Sequence, residues 1–121
     1  MTRQEYTNTR DLSFSGWVRK NLPDSATGLM VSDLDFILQN YKTKTLMLLE
    51  VKTHNSKLKS WQSNLFKNLD RWIKNGIESD WNYLGFHIVK FENTFFNDGN
   101  CYFDTKCVKE EELKKIFTFL G

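Results

Sequence analysis

The chain has 121 residues, 40% of them hydrophobic and 15% aromatic, enough for one core and too few for two, so a single domain over 1–121 is expected. No apolar run approaches the roughly 20 residues of a membrane span, and MTRQEYTNTR lacks the apolar middle of a signal peptide, which points to a soluble cytoplasmic protein with no membrane attachment. The net charge of +2 singles out no partner, but residues 40–76 hold eight basic side chains (Lys42, Lys44, Lys52, Lys57, Lys59, Lys67, Arg71, Lys74) against Glu50 and Asp70, which makes either a patch for a polyanion or a solvated helix face.

DLSFSGWVRKN, residues 11–21, brings Leu12, Trp17 and Val18 near helical spacing and stops before Pro23, so it is expected to form a first helix. PDSATG (23–28) has turn chemistry. A hairpin is expected next, with strands over Leu29–Gln39 and Leu46–Thr53 joined around NYKTKT. Met47, Leu49 and Val51 share one face of the second strand and Leu46 and Leu48 the other; a strand apolar on both faces calls for helices above and below the sheet. Asn55 or Ser56 is placed to cap a helix carrying Leu58, Trp61, Leu65, Leu69, Trp72 and Ile73 at three- and four-residue steps, with Gly76 just past its end. YLGFHIVKF, residues 83–91, has the β-branched and aromatic content of a core strand. NDGN (97–100), between TFF and CYF, signals a hairpin turn, and that hairpin is expected to extend an edge of the sheet. Lys109–Leu120 closes the chain as an amphipathic helix with Leu113, Ile116, Phe117 and Leu120 inward. The order predicts an α/β fold around a mixed sheet. Cys101 and Cys107 lack further Cys or His at zinc-site spacing and are expected to be free thiols.

The inner strand carries Glu50 and Lys52, residue types almost never fully buried unless paired. A turn centred between Lys42 and Thr43 sets Asp35 opposite Glu50 and Asp33 opposite Lys52. Directly opposed residues hold their Cβ atoms roughly 4.5–5.5 Å apart, where two carboxylates repel unless something positive lies between them. A divalent cation fits: hard oxygen donors suit Mg²⁺ or Mn²⁺, and Mg²⁺ commonly takes one or two carboxylates plus water and phosphate. Lys52 shares the face of Glu50. The competing arrangement is a buried ion-pair network in which Lys52 pairs with Asp33 or Asp35 and no metal binds.

Asp35 in SDLDFIL, followed by Glu50 and Lys52 in LLEVKT, resembles the PD-(D/E)xK nuclease superfamily, most closely its RecB-like branch and small phage relatives. The likeness covers roughly residues 10–91. It implies a restriction-endonuclease-like core of helix, hairpin, helix and strand, and Mg²⁺- or Mn²⁺-dependent hydrolysis of DNA in phage-type or cellular DNA processing, repair or recombination. That branch often carries a Gln in a Q-x-x-x-Y pattern on the following helix; here the segment is QSNLF, with Gln62 kept and Phe66 in place of the tyrosine. Carried over residue by residue, Asp35, Glu50 and the Val51 carbonyl hold metal, with Asp33 as the alternative to Asp35. Lys52 orients water or offsets charge on the phosphate, Gln62 steadies the attacking water, and Lys42, Lys44, Lys57 and Lys59 bind backbone phosphates. A rival reading is a DNA-binding or assembly subunit that keeps the fold without catalysis; an RNA-directed nuclease would use the same chemistry. The small surface favours a homodimer or a larger complex. His54 is expected to be uninvolved, His87 to be a hydrogen-bonded structural residue, and Trp17, Trp61, Trp72 and Trp81 to be core.

Overall fold

In the computed structural model, which describes residues 13–23 and 25–118, the chain separates into two units, 1–32 and 33–121. The first contains helix α1 (Ser13–Asn21), on which Phe14 stacks against Trp17 at 5.8 Å. Asn21 Nδ2 donates to the Trp17 carbonyl at 2.8 Å and Leu22 N–H to Val18, closing the helix before Pro23. No described residue of α1 is buried, and Trp17 is 51% exposed, contrary to the expectation of a core tryptophan. Asp11 and Leu12 lie outside the described residues.

The second unit is built around β2 (Thr45–Lys52), in which Met47, Leu48, Leu49 and Glu50 are all buried. β2 pairs antiparallel with β1 (Phe36–Asn40) and parallel with β3 (Asn82–Phe91), which continues through antiparallel β4 (Cys101–Phe103) to β5 (Lys106–Val108). The result is a mixed five-stranded sheet in the order β1-β2-β3-β4-β5, an α/β architecture. Helix α2 (Ser60–Gly76) covers one face: buried Phe66 stacks on Phe86 at 4.9 Å. Helix α3 (Glu110–Thr118) covers part of the other, with Leu113, Ile116 and Phe117 packed on Leu49, Val89 and Phe91. The double-sided apolar run in β2 thus has the helix on each side that it requires.

The β1–β2 register pairs Asn40 with Thr45 and Phe36 with Leu49, as a turn centred between Lys42 and Thr43 demands. Asn40 Oδ1 accepts from the N–H groups of Lys42 and Thr43 at 2.9 and 3.0 Å, an Asx turn that locks this register. β3 contains one residue too many between Tyr83 and Phe86, where buried Gly85 takes φ +96°, a conformation open to glycine. Asp70 of α2 accepts from Phe86 N–H at 3.1 Å and so fastens the helix to that bulge.

Several boundaries differ from expectation. Residues 29–35 are not strand, because the ladder stops where Asp35 uses its side chain on β2. α2 starts at Ser60 with Lys59 at its N-cap, so neither Asn55 nor Ser56 caps it: His54 and Asn55 adopt left-handed φ of 55°, and their N–H groups bond to Asn93 and Phe91 at the end of β3. Gly76 is the last residue of α2, not the one beyond it. NDGN does not turn a TFF/CYF hairpin. The Asp98 carboxylate accepts from the N–H groups of Thr94 and Phe95, both at 3.0 Å, and folds 96–98 into a 3₁₀ turn inside the β3–β4 connection. The tight turn falls instead at Asp104 and Thr105, both at positive φ, between β4 and β5. Trp72 is 56% exposed, whereas Trp61 and Trp81 are half-buried. Phe119–Gly121, including Leu120, lie outside the described residues.

Candidate metal centre at the end of the β1–β2 hairpin

Asp35 and Glu50 come together as the register requires, through reciprocal hydrogen bonds. Asp35 N–H donates to Glu50 Oε1 at 2.8 Å, and Val51 N–H donates to Asp35 Oδ2 at 2.8 Å. In a regular ladder Val51 N–H would seek the main chain of residue 34; the Asp35 carboxylate takes that place and ends the pairing. Within a strand a residue's N–H and C=O point to the same edge, so the Val51 carbonyl also faces the Asp35 side, beyond the last ladder pair at Phe36–Leu49. Each carboxylate has one oxygen on a main-chain N–H and a second oxygen left for another partner.

Glu50 is only 3% exposed, and its carboxyl is held above the ordinary carboxylate range. Burial is the largest cause; the Asp35 N–H opposes it, Asp35 and Asp33 add repulsion, and the Lys52 charge pulls the other way. Asp33 is exposed and lies before β1, so it acts on Glu50 through its charge rather than as the strand partner of Lys52. Lys52, half-buried at the end of β2, forms no ion pair with Asp35 or Glu50 among the described residues. Among those residues no three His, Cys, Asp or Glu side chains cluster as a cation site by themselves. The donors on hand are two carboxylates and a carbonyl, a set that fits Mg²⁺ completed by water and phosphate.

Gln62 sits half-buried in the first turn of α2, which follows the Lys52 end of β2 through the connection 53–59. The four flanking lysines do not gather there. Lys57 and Lys59 are exposed in the β2–α2 connection, beside the site. Lys42 and Lys44 lie at the hairpin turn, about 20 Å away along β2, and Lys44 is ion-paired with Asp80. Lys90, absent from the expected set, pairs in register with Lys52 on the face that β2 presents to α2. Its parity with Phe86 and Ile88 in YLGFHIVKF was the available signal.

His54 is exposed and stands apart in its left-handed turn. His87 is structural: Nδ1 bonds the Asp104 carboxylate, Nε2 meets the Leu84 carbonyl at 2.6 Å, and the ring stacks on Phe103 at 5.0 Å. The Asp104 hydrogen bond raises the imidazole's pKa against the opposing effect of burial, with the Leu84 carbonyl assisting. Cys101 is buried and Cys107 exposed, both free.

Fold and site define an α/β protein with an acidic pair and a lysine at the end of the second strand of a mixed sheet. No family model matches the chain, and no solved structure matches it. It is similar to a protein of Archaeoglobus fulgidus described as uncharacterized, 34% identical over 92 residues. That stretch is 75% of this chain, and the chain spans 60% of the relative's length. No described helix is long and apolar enough to cross a membrane.

Proposed function

We propose that this chain is a PD-(D/E)xK-type nuclease that hydrolyses phosphodiester bonds in DNA with Mg²⁺ or Mn²⁺. The observation that carries the reading is Glu50: a carboxylate locked beside Asp35, its charge disfavoured first by burial and then by its acidic neighbours, and not neutralised by an ion pair with Lys52. The pair therefore favours an added cation, and the competing arrangement, Lys52 paired with Asp33 or Asp35, lacks support because Lys52 forms no ion pair among the described residues. The succession of helix, hairpin, helix and strand agrees with the core that the resemblance implies.

Asp35, Glu50 and the Val51 carbonyl would hold the ion. When bound it supplies Lewis acidity toward the phosphodiester and a water of lowered pKa. The chain's own residues then do the rest. The main-chain bonds from Asp35 and Val51 fix the two carboxylates in place before substrate arrives. Lys52 holds its ammonium on the Glu50 face, where it offsets charge accumulating on the phosphate. Gln62 presents an amide from the first turn of α2 to the attacking water or the neighbouring phosphate. Lys57 and Lys59 bind backbone phosphates without choosing sequence.

One observation favours the rival, a DNA-binding or assembly subunit without catalysis: both carboxylates already serve as main-chain acceptors at a strand end. Incubating the protein with single-stranded, duplex and branched DNA plus Mn²⁺ separates the two. Cleavage is expected, and Lys52→Ala is expected to abolish it while leaving the circular-dichroism spectrum unchanged. Wild-type cleavage by Lys52→Ala excludes the proposed mechanism.

A further inference from the structure

The α2 side of the sheet carries a row of side chains that runs on from Lys52, away from the metal centre. Register places Lys52 of β2 beside Lys90 of β3, and Lys90 beside Tyr102 of β4, all three half-buried. Neighbouring strands lie about 4.8 Å apart, so two ammonium groups project from adjacent positions on one face. Like charges set directly opposite one another destabilise a sheet, and neither lysine forms an ion pair among the described residues. An anion seated between them removes that repulsion.

Beyond Lys90 lies a pocket of about 300 Å³ lined by Asn55, Ile88, Lys90, Tyr102, Asp104 and Thr105. That is the lower end of the size range for small-ligand sites. Its lining combines an aromatic ring and an aliphatic side chain with a cation and an amide, which suits a planar heterocycle attached to a phosphate. Asp104, its one acid, does not answer Lys90: it accepts from Ile88 N–H at 2.9 Å and bonds His87.

We propose that this pocket holds the nucleotide adjoining the scissile phosphate of a single DNA strand, with the phosphate between Lys52 and Lys90 and the base against Tyr102. The strand then crosses the sheet from the Asp35–Glu50 end over β3 to β4, and does not track toward the distant hairpin lysines. This subsite rests on the nuclease reading for its substrate, but its test is separate from catalysis.

Binding of a short fluorescein-labelled single-stranded DNA to the full chain is followed by anisotropy in EDTA across a salt series. Lys90→Gln is expected to weaken binding about 5- to 10-fold and to lower the slope of log affinity against log salt by about 0.7. Tyr102→Ala is expected to weaken it about 5-fold or more, with Tyr102→Phe restoring wild-type affinity because the ring is what stacks. Lys115→Gln, on α3 against the opposite face, is expected to change neither quantity. Wild-type affinity and slope in both Lys90→Gln and Tyr102→Ala overturn the subsite, as does absence of binding by the wild type. If the wild type fails to cleave with Mn²⁺ while Lys90→Gln and Tyr102→Ala still weaken binding as expected, the nuclease reading falls and the subsite stands.

Discussion

Glu50 illustrates how one residue reports on a site. Its ordinary pKa is 4.5 and its folded value lies higher, so its contribution to stability is fully present below about pH 4.5 and is lost as pH rises through the folded value. Glu50→Gln keeps the shape and an acceptor for Asp35 N–H but cannot ionise. Without metal, the variant's urea midpoint is therefore expected to gain on the wild type as pH is raised from about 4 to about 7. Parallel pH profiles for the two proteins would show that burial and the acidic neighbours do not disfavour the Glu50 charge as described. The pairing of Asp35 with Glu50 was readable because strand register is arithmetic once the turn is placed. Lys90 was harder to find, since it shares a face with Lys52 only through a parallel strand reached by a long crossover.

At the scale of elements, α2 is held mainly by Phe66, which is 2% exposed and stacked on Phe86. Phe66→Ala is expected to cost about 3–5 kcal/mol, measured by urea unfolding, because the helix and sheet backbones cannot close on the void. An unchanged midpoint would mean that the helix is anchored elsewhere, at Asp70 for instance. The helix body was plain in the sequence from its three- and four-residue apolar steps, and β2 and β3 from their β-branched and aromatic runs. The start of α2 was not, since the N–H groups of His54 and Asn55 are taken by residues nearly 40 positions downstream. The tip of the last hairpin was misplaced for a related reason: Asp98 satisfies its own loop, leaving the reversal to Asp104 and Thr105, which are held in place by the contact of Asp104 with His87. Local composition marks where a chain can turn, while long-range bonds decide where it does.

For the molecule as a whole, metal and stability should be linked. At pH 7, Mn²⁺ at about 100 times its dissociation constant is expected to add about 2.7 kcal/mol, a rise in thermal midpoint of about 10 °C. Glu50→Gln is expected to lose most of that rise, and a shift of equal size in the variant would place the ion elsewhere. How completely the two faces of the sheet are sorted depends on Gly85. Side chains alternate along β3 in a two-beat rhythm, and the supernumerary residue at the bulge skips one beat, so that Tyr83 and Phe86 both meet α2. Delete that residue and the downstream rhythm inverts: Val89 and Phe91 would leave the α3 core, and Lys90 would point into grease. A single glycine thereby keeps the lysines of this sheet in phase with the Asp35–Glu50 pair.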